Sequence, residues 1–376
     1  MISAAVASRH RAWIDIDHAA LAANLATLRR LAGSAEVIAV VKANAYGHGA
    51  PEVAETLVEH GAERLAVATL SEASELRARG LTGPIVLLWG IGADDGDQVV
   101  STGVEPIVTG PADVGWLEAA AAAAGRRIGV HLKVDTGLGR QGIEPSGAVD
   151  LASRVAASRH LALVGTMTHL AAVEDEAFTN VQLQQMVAVL DAMRSGGTDP
   201  GLVHVAPTGA ILAGVGGFAD AVRPGIGLYG LAPGSADARA AGLMPVLSLR
   251  ALPLRIFEVT AGTSIGYGMR WQASSAARLA TLPIGYGDGW PRVHLNNGFA
   301  LVRGERVPMV GAISMDGLVV DVSDIGSVGL DDEFVLIGHQ GGHEISVEEV
   351  ADQRGTINYE VTTMLRGRLP RRHGRP

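Results

Sequence analysis

The sequence predicts an α/β protein in two parts: an N-terminal (β/α)8 barrel of the TIM type over residues 1–240 and a C-terminal antiparallel β domain over residues 241–376. Three observations predict it. Up to about residue 231, short Val/Ile/Leu-rich runs alternate with alanine-rich amphipathic stretches, the pattern of strand–helix units building a parallel sheet. At roughly 30 residues each, eight such units fill the roughly 250 residues usual for a closed barrel. From Leu243 onward, β-branched runs are separated by glycine turns with little helical pattern. A doubly wound sheet is the main competitor, but no G-x-G-x-x-G follows the first strand.

In chain order the barrel strands are expected at "WIDID" (13–17), "EVIAVVKA" (36–43), "RLAVATL" (64–70), "PIVLLWG" (84–90), "EPIVT" (105–109), "RIGVHLKVD" (127–135), "LALVGTMTHL" (161–170), "GLVHVA" (201–206) and "DAVRPGIGLYG" (220–230), eight repeats and one extra. Helices are expected between them at "HAALAANLATLRRLA", "PEVAETLVEHGA", "SEASELRARG", "DVGWLEAAAAAAG" and "FTNVQLQQMVAVLDAMRS". The alanine run 119–124 is low in complexity, but alanine is the best helix former. The β domain is expected to hold "VLSLRALPLRIFEV", "ARLATLPIG", "FALVRGERVPMVGA", "LVVDVS" and "EFVLIGH".

Composition removes several functions. With 376 residues, 48% hydrophobic and 18% charged, the chain can bury one large core and a smaller one. A net charge of −9 leaves no basic stripe for a phosphate backbone, so no nucleic-acid partner is expected. No run reaches the roughly 20 apolar residues of a membrane span. Arg9, His10 and Arg11 interrupt the apolar start before a signal-peptide core could form, so no membrane association and a cytoplasmic protein are expected. The arginine-rich "RGRLPRRHGRP" reads as a solvated end. Cysteine is absent, so any nucleophile or base must be Lys, Tyr, His, Ser/Thr or a carboxylate.

Lys42, Asp135, His169, Thr208 and Arg223 each stand at or just past the end of an expected strand, where a parallel barrel builds its active site. A lone lysine there would ordinarily snorkel into water; company on one rim weakens that reading. The loops "AYGHGA", "DTGLGRQG" and "RPGIGLYG" converge on the same rim and favour a phosphorylated ligand, although each alone is ordinary turn chemistry. Arg223 must find an acceptor, either in a ligand or in a structural salt bridge. His169 and His204 flank apolar residues as core histidines do, and no spacing marks a metal site. In the β domain "IGYGMRW" and "IGYGDGW" repeat one form. Either Tyr267 or Tyr286 could be an acid/base, both could be hairpin aromatics, and position does not choose between them.

These residues, in order, resemble the alanine racemases. "VVKANAYGHG" is similar to that family's cofactor-lysine signature, and the match continues through "LKVDTGLGRQG", "THL", "VRPGIGLYG", "SIGYG", "LPIGYGDGW", "SMD" and "INYEVT", from about residue 13 to 370. The resemblance implies a pyridoxal 5'-phosphate (PLP) isomerase interconverting L- and D-alanine, working as a head-to-tail homodimer with shared active sites. Lys42 would anchor the cofactor and act as one acid/base; Tyr267, from the other subunit, would be the second. Arg140 would serve the cofactor phenolate and substrate carboxylate, Arg223 the pyridine nitrogen, and His169 the network behind it. Tyr46, Thr208, Gly225, Ile226 and Tyr359 would bind the phosphate. Tyr286, Met315 and Asp316 would line the substrate side, and Lys133 matches a lysine often carbamylated in the family.

The chain departs from the family at Pro207-Thr208, where Asn-Ser is usual, and at Ala312, where an arginine precedes "SMD" and faces an acidic residue matched here by Glu174. Ala312 implies a wider entry and a different or broader substrate range, with serine or larger amino acids accepted. A PLP decarboxylase of similar architecture is a second reading, opposed by the missing cysteine and by Arg223. A non-catalytic PLP-binding protein is a third, opposed by the extra β domain with Tyr267.

Overall fold

A computed structural model describes residues 11–374; the expectation about the first ten residues lies outside them. The chain forms two compact units. One comprises residues 20–45 and 50–244, the other residues 11–19, 46–49 and 245–374.

The first unit is a closed eight-stranded parallel barrel. Numbering the chain's first strand (Ala12–Asp17) β1, its staves are β2 (Glu36–Val40), β3 (Arg64–Val67), β4 (Ile85–Leu87), β5 (Glu105–Val108), β6 (Ile128–Lys133), β7 (Leu161–Met167), β8 (Leu202–Pro207) and β9 (Ala221–Arg223). β9 closes on β2 with Glu36 opposite Ala221 and Val37 opposite Val222. These strands read as continuous apolar runs because both faces are covered, and Val37, Ile38, Ala39, Ile85 and Val86 are fully buried. Helices separate the staves, and local chemistry starts several of them. Thr69 and Glu72 form a reciprocal capping box before Leu70–Ala78, Pro111 and Pro145 occupy first-turn positions, and Asp175 accepts from the Phe178 amide ahead of Glu176–Ser195. The last expected strand is shorter than its apolar run. It ends at Arg223, because Pro224 has no N–H for the ladder and the chain turns through a 3₁₀ segment, Ile226–Tyr229.

β1 is not a barrel strand. It pairs antiparallel with Leu247–Ala251 and parallel with Arg371–Gly374, setting Ile14 opposite Leu249 and Ile16 opposite Leu247. From Ile14 to Asp17 buried and more open positions alternate, which suits a one-sided sheet and not a stave buried on both faces. The expected 1–240 barrel therefore gives its first strand to the other unit. That unit's sheet runs Arg255–Val259, Ala277–Leu282, Leu318–Asp321, Glu305–Val310, Phe299–Val302, Phe334–Gln340, Leu247–Ala251, β1, Arg371–Gly374. Two helices, Val347–Arg354 and Asn358–Thr363, add to the expected β pattern.

The arginine-rich end is likewise more ordered than its charge suggests. Arg371 donates to the carbonyls of Gly47, Leu365, Arg366 and Leu369, and Arg372 lies over the Trp13 ring at 3.9 Å. Arg375 and Pro376 lie outside the described residues. No described helix is long and apolar enough to cross a membrane.

Candidate active site

All eight staves run the same way, so their C-terminal ends share one mouth, and the chemistry-bearing residues of the first unit gather there. Lys42 stands two residues past β2. Ala43, Asn44, Ala45 and Tyr46 follow with φ between 52° and 55°, four successive non-glycine residues in the left-handed region. Such a turn costs about 1–2 kcal/mol per residue and persists only where surroundings hold it. The Ala45 amide donates to the Val41 carbonyl at 2.8 Å. The Glu72 carboxylate accepts from the Ala43 amide at 2.6 Å, and the Asn44 side chain accepts from the Ala50 amide at 2.8 Å. The strain fixes the exit direction of the chain at Lys42.

The Lys42 amine is held below the usual lysine range, first by burial and then by the cations Arg140 and Arg223, while Glu72 opposes them. Lys133, the last residue of β6, is drawn down to about 8 by burial and by Arg140 and Arg223, and donates to Gln141 Oε1 at 3.2 Å. Arg140 lies over the Trp89 ring at 5.6 Å, on the loop ordered by Asp135, whose carboxylate accepts from the Gly137 and Gly139 amides. Arg223 is buried, which pulls it down to about 9. Its Nη2 donates to the Thr168 and Val205 carbonyls at 2.6 and 3.0 Å and reaches His169 Nδ1 at 3.3 Å. His169, pushed to about 3 by burial and then by Arg223, Arg140, Lys133 and Lys42, is a neutral imidazole.

On the far side of Arg223, the Thr208 hydroxyl accepts from the Gly225 and Gly227 amides at 3.1 and 3.2 Å, with Ile226 between them. A Cβ on Gly227 would sit 2.7 Å from Thr208 Cγ2, so glycine is what allows this approach. Pro207, opposite Arg223 in the β8–β9 register, contributes no donor. The structure thus brings Lys42, Lys133, Arg140, His169, Thr208, Arg223, Gly225 and Ile226 onto one barrel end.

The second unit holds the rest. Tyr46 and Tyr359 set their ring centroids 6.1 Å apart. Burial, and for Tyr46 also the neighbouring tyrosine, raises both phenols, Tyr359 to about 12, so both stay protonated donors. The turn after Tyr46 depends on Gly47, at φ +88°. A Cβ there would lie 2.1 Å from the Thr362 carbonyl oxygen. Gly47→Ala is therefore expected to cost about 2 kcal/mol or more, lowering the melting midpoint by several degrees in thermal denaturation of the purified protein.

Tyr286, Met315 and Asp316 lie together. The Tyr286 amide donates to the Ser314 carbonyl and the Gly287 amide to that of Met315, while Arg368 bridges Asp288 and Asp316 at 3.2 and 2.6 Å. Tyr267 shares a cleft of about 390 Å³ with Gly266, Ala312 and Ser314. It is 74% exposed against 39% for Tyr286, and Met269 and Met315 beside these loops are exposed as well.

Sequence reading overlooked Glu72, Gln141 and Trp89. Glu72 shows locally only as a helix cap, and the other two meet the mouth only through folding. It also treated His204 as core and passed over His131. Among the described residues, no three His, Asp or Glu side chains are grouped so as to hold a metal ion.

A family model described as "Alanine racemase, N-terminal domain" matches residues 16–233, and "Alanine racemase, C-terminal domain" matches residues 246–373. An alanine racemase of Desulforamulus reducens is 40% identical, covering 96% of this chain and 98% of the relative; one of Symbiobacterium thermophilum is 36% identical, covering 96% and 97%. Among solved structures, an alanine racemase from D-cycloserine-producing Streptomyces lavendulae superposes with a TM-score of 0.92 at 34% identity, over 98% of each chain.

Proposed function

The chain belongs to the alanine racemase family of isomerases, and on that premise we propose that it binds PLP at the barrel mouth and interconverts L- and D-alanine by two bases, Lys42 and Tyr267. The observation that carries the reading is the depressed Lys42 amine set among Arg140, Arg223 and Lys133.

The donor set fits the cofactor. Four cations face few carboxylates, which suits an anionic ligand and an amino-acid carboxylate. Arg223 spends Nη1 and Nη2 on protein acceptors, while its Nε–H donates to none of the described residues and is free for a ring nitrogen. Thr208 accepts two amides and keeps its own proton to give to a phosphate, beside Gly225 and Ile226. Tyr46 and Tyr359, protonated at any working pH, add two phenolic donors.

When bound, PLP supplies an electron sink for charge developing at the substrate Cα. The protein supplies the rest. Racemisation needs a proton removed from one face of Cα and another returned to the opposite face, which one group cannot do. Lys42 Nζ serves one face; burial and then the neighbouring arginines lower its affinity for protons, which favours the free amine that a base must be. Tyr267 Oη serves the other face from a second copy of the chain in a head-to-tail homodimer. The exposure of Tyr267, Met269 and Met315 supports such an interface. Arg140 holds the substrate carboxylate, braced by Lys133, whose amine near 8 is partly neutral and open to carbamylation. Because an arginine does not readily surrender its proton, Arg223 leaves the ring a weaker sink and limits side reactions. His169 stays neutral behind it.

The test is an amino-acid panel followed by chiral chromatography, run in deuterated water. A racemase exchanges the α-proton while inverting, a PLP carrier gives no exchange, and a decarboxylase releases carbon dioxide; either of the last two results overturns the reading. Ala312, which lines the same cleft as Tyr267, favours a broader range within the same activity. Ala312→Arg is expected to lower kcat/KM for serine and longer amino acids about tenfold relative to alanine. Strict alanine preference in the native chain, unchanged by the substitution, would sink that extension.

A further inference from the structure

Barrel interiors are ordinarily filled by branched apolar side chains, yet this one holds two fully buried histidines, His131 of β6 and His204 of β8. Neither belongs to the machinery assigned above. His131 lies opposite Gly165 of β7, where a Cβ would stand 2.3 Å from the His131 ring; glycine leaves the space through which the two imidazoles meet across that strand.

The contacts form a single line. Arg223 Nη1 lies 2.9 Å from His204 Nδ1 and also donates to the His204 carbonyl. His204 Nε2 lies 2.9 Å from His131 Nδ1, the rings meeting edge-on at 89°. His131 Nε2 lies 3.1 Å from Glu105 Oε2, which also pairs with Arg64 at 2.9 Å. Arg223 ends β9 and Glu105 opens β5, so the line runs from the catalytic mouth of the barrel to the opposite one.

Its polarity follows from donor chemistry. A guanidinium only donates, so His204 Nδ1 accepts, and its proton is on Nε2. That proton goes to His131 Nδ1, which places the second ring's proton on Nε2, facing a carboxylate that only accepts. Every nitrogen is used once and no other arrangement satisfies all three bonds. Burial, the first cause of the lowered affinity of both rings for protons, keeps them neutral as this order requires.

We propose that Glu105, through His131 and His204, is a positioning residue for Arg223: a one-way hydrogen-bond relay along the barrel interior that holds the guanidinium cationic and aimed at the cofactor ring. No net proton moves. The inference rests on Arg223 serving that ring, but its structural half is testable without cofactor.

In cofactor-free protein labelled with ¹⁵N-histidine, and assigned by single His→Gln variants, His131 and His204 should both be neutral with the proton on Nε2. A proton on Nδ1 of either ring, or a charged ring, overturns the relay. In the cofactor-loaded enzyme, Glu105→Gln keeps an acceptor for His131 and removes the charge. It is expected to displace the absorption maximum of the bound cofactor and lower kcat about tenfold, with KM for alanine within about twofold. Glu105→Leu, which removes the acceptor too, should do more; should it fail to fold, the glutamine variant and the wild-type tautomers still decide. A Glu105→Gln enzyme with a lowered melting point but native spectrum and kcat would overturn the relay alone. A wild-type chain that takes up no PLP would overturn the functional reading, and with it the purpose given to the relay.

Discussion

Lys42→Ala is expected to abolish the absorption of covalently held PLP and to lower racemisation of either antipode by about 10,000-fold. The substitution removes the anchor and one of the two bases together, and a positioned acid/base alone contributes about 10²–10⁴-fold. The position is hard to replace. The left-handed turn from Ala43 to Tyr46 directs the chain at Lys42, and burial, then the neighbouring Arg140 and Arg223, keep the amine's proton affinity low. The measurement is the cofactor spectrum alongside initial rates for L- and D-alanine. Activity retained within tenfold would mean that another group anchors the cofactor.

Tyr267→Phe is expected to lower racemisation by about 10²–10⁴-fold while sparing cofactor uptake, because the phenol works only on the substrate proton. If the tyrosine comes from the partner copy, mixing the two inactive variants restores function. A heterodimer of Lys42→Ala and Tyr267→Phe subunits carries one intact site and one doubly defective one. Random reassortment then recovers about a quarter of wild-type activity. No recovery after mixing, with heterodimers shown to form, would place Lys42 and Tyr267 in one subunit. Undiminished rates in both directions for Tyr267→Phe would end the two-base assignment.

The barrel and most of its mouth were legible because their signals are local. Strand–helix alternation, punctuation by glycine and proline, and polar residues at strand ends all lie within a few residues of each other. Parallel strands then carry those ends to one face without further information. The misplaced strand is instructive. "WIDID" has the alternation of any half-buried strand, and nothing within it says which sheet it joins; the partner is Leu247–Ala251, more than 200 residues away. The arginine-rich end misled in part for the same reason, since one of the carbonyls that Arg371 bonds, Gly47, lies at the other end of the chain, the others being within six residues.

By itself, then, the sequence determined the repeating units, the absence of thiol chemistry, and which side chains crowd the ends of the staves. Tertiary structure alone decided three things. It placed β1 in the second unit. It imposed a left-handed path on Ala43, Ala45 and Tyr46, which have no such preference, as well as on Asn44, which tolerates it, with bonds accepted by Glu72 and Asn44. It also joined Arg223 to Glu105 through two histidines on different strands. The strand placement and the histidine line depend on hydrogen bonds between residues far apart in the chain, and the left-handed turn on one such bond, from Ala43 to Glu72, beside a local one; a buried donor takes whichever acceptor folding brings to it.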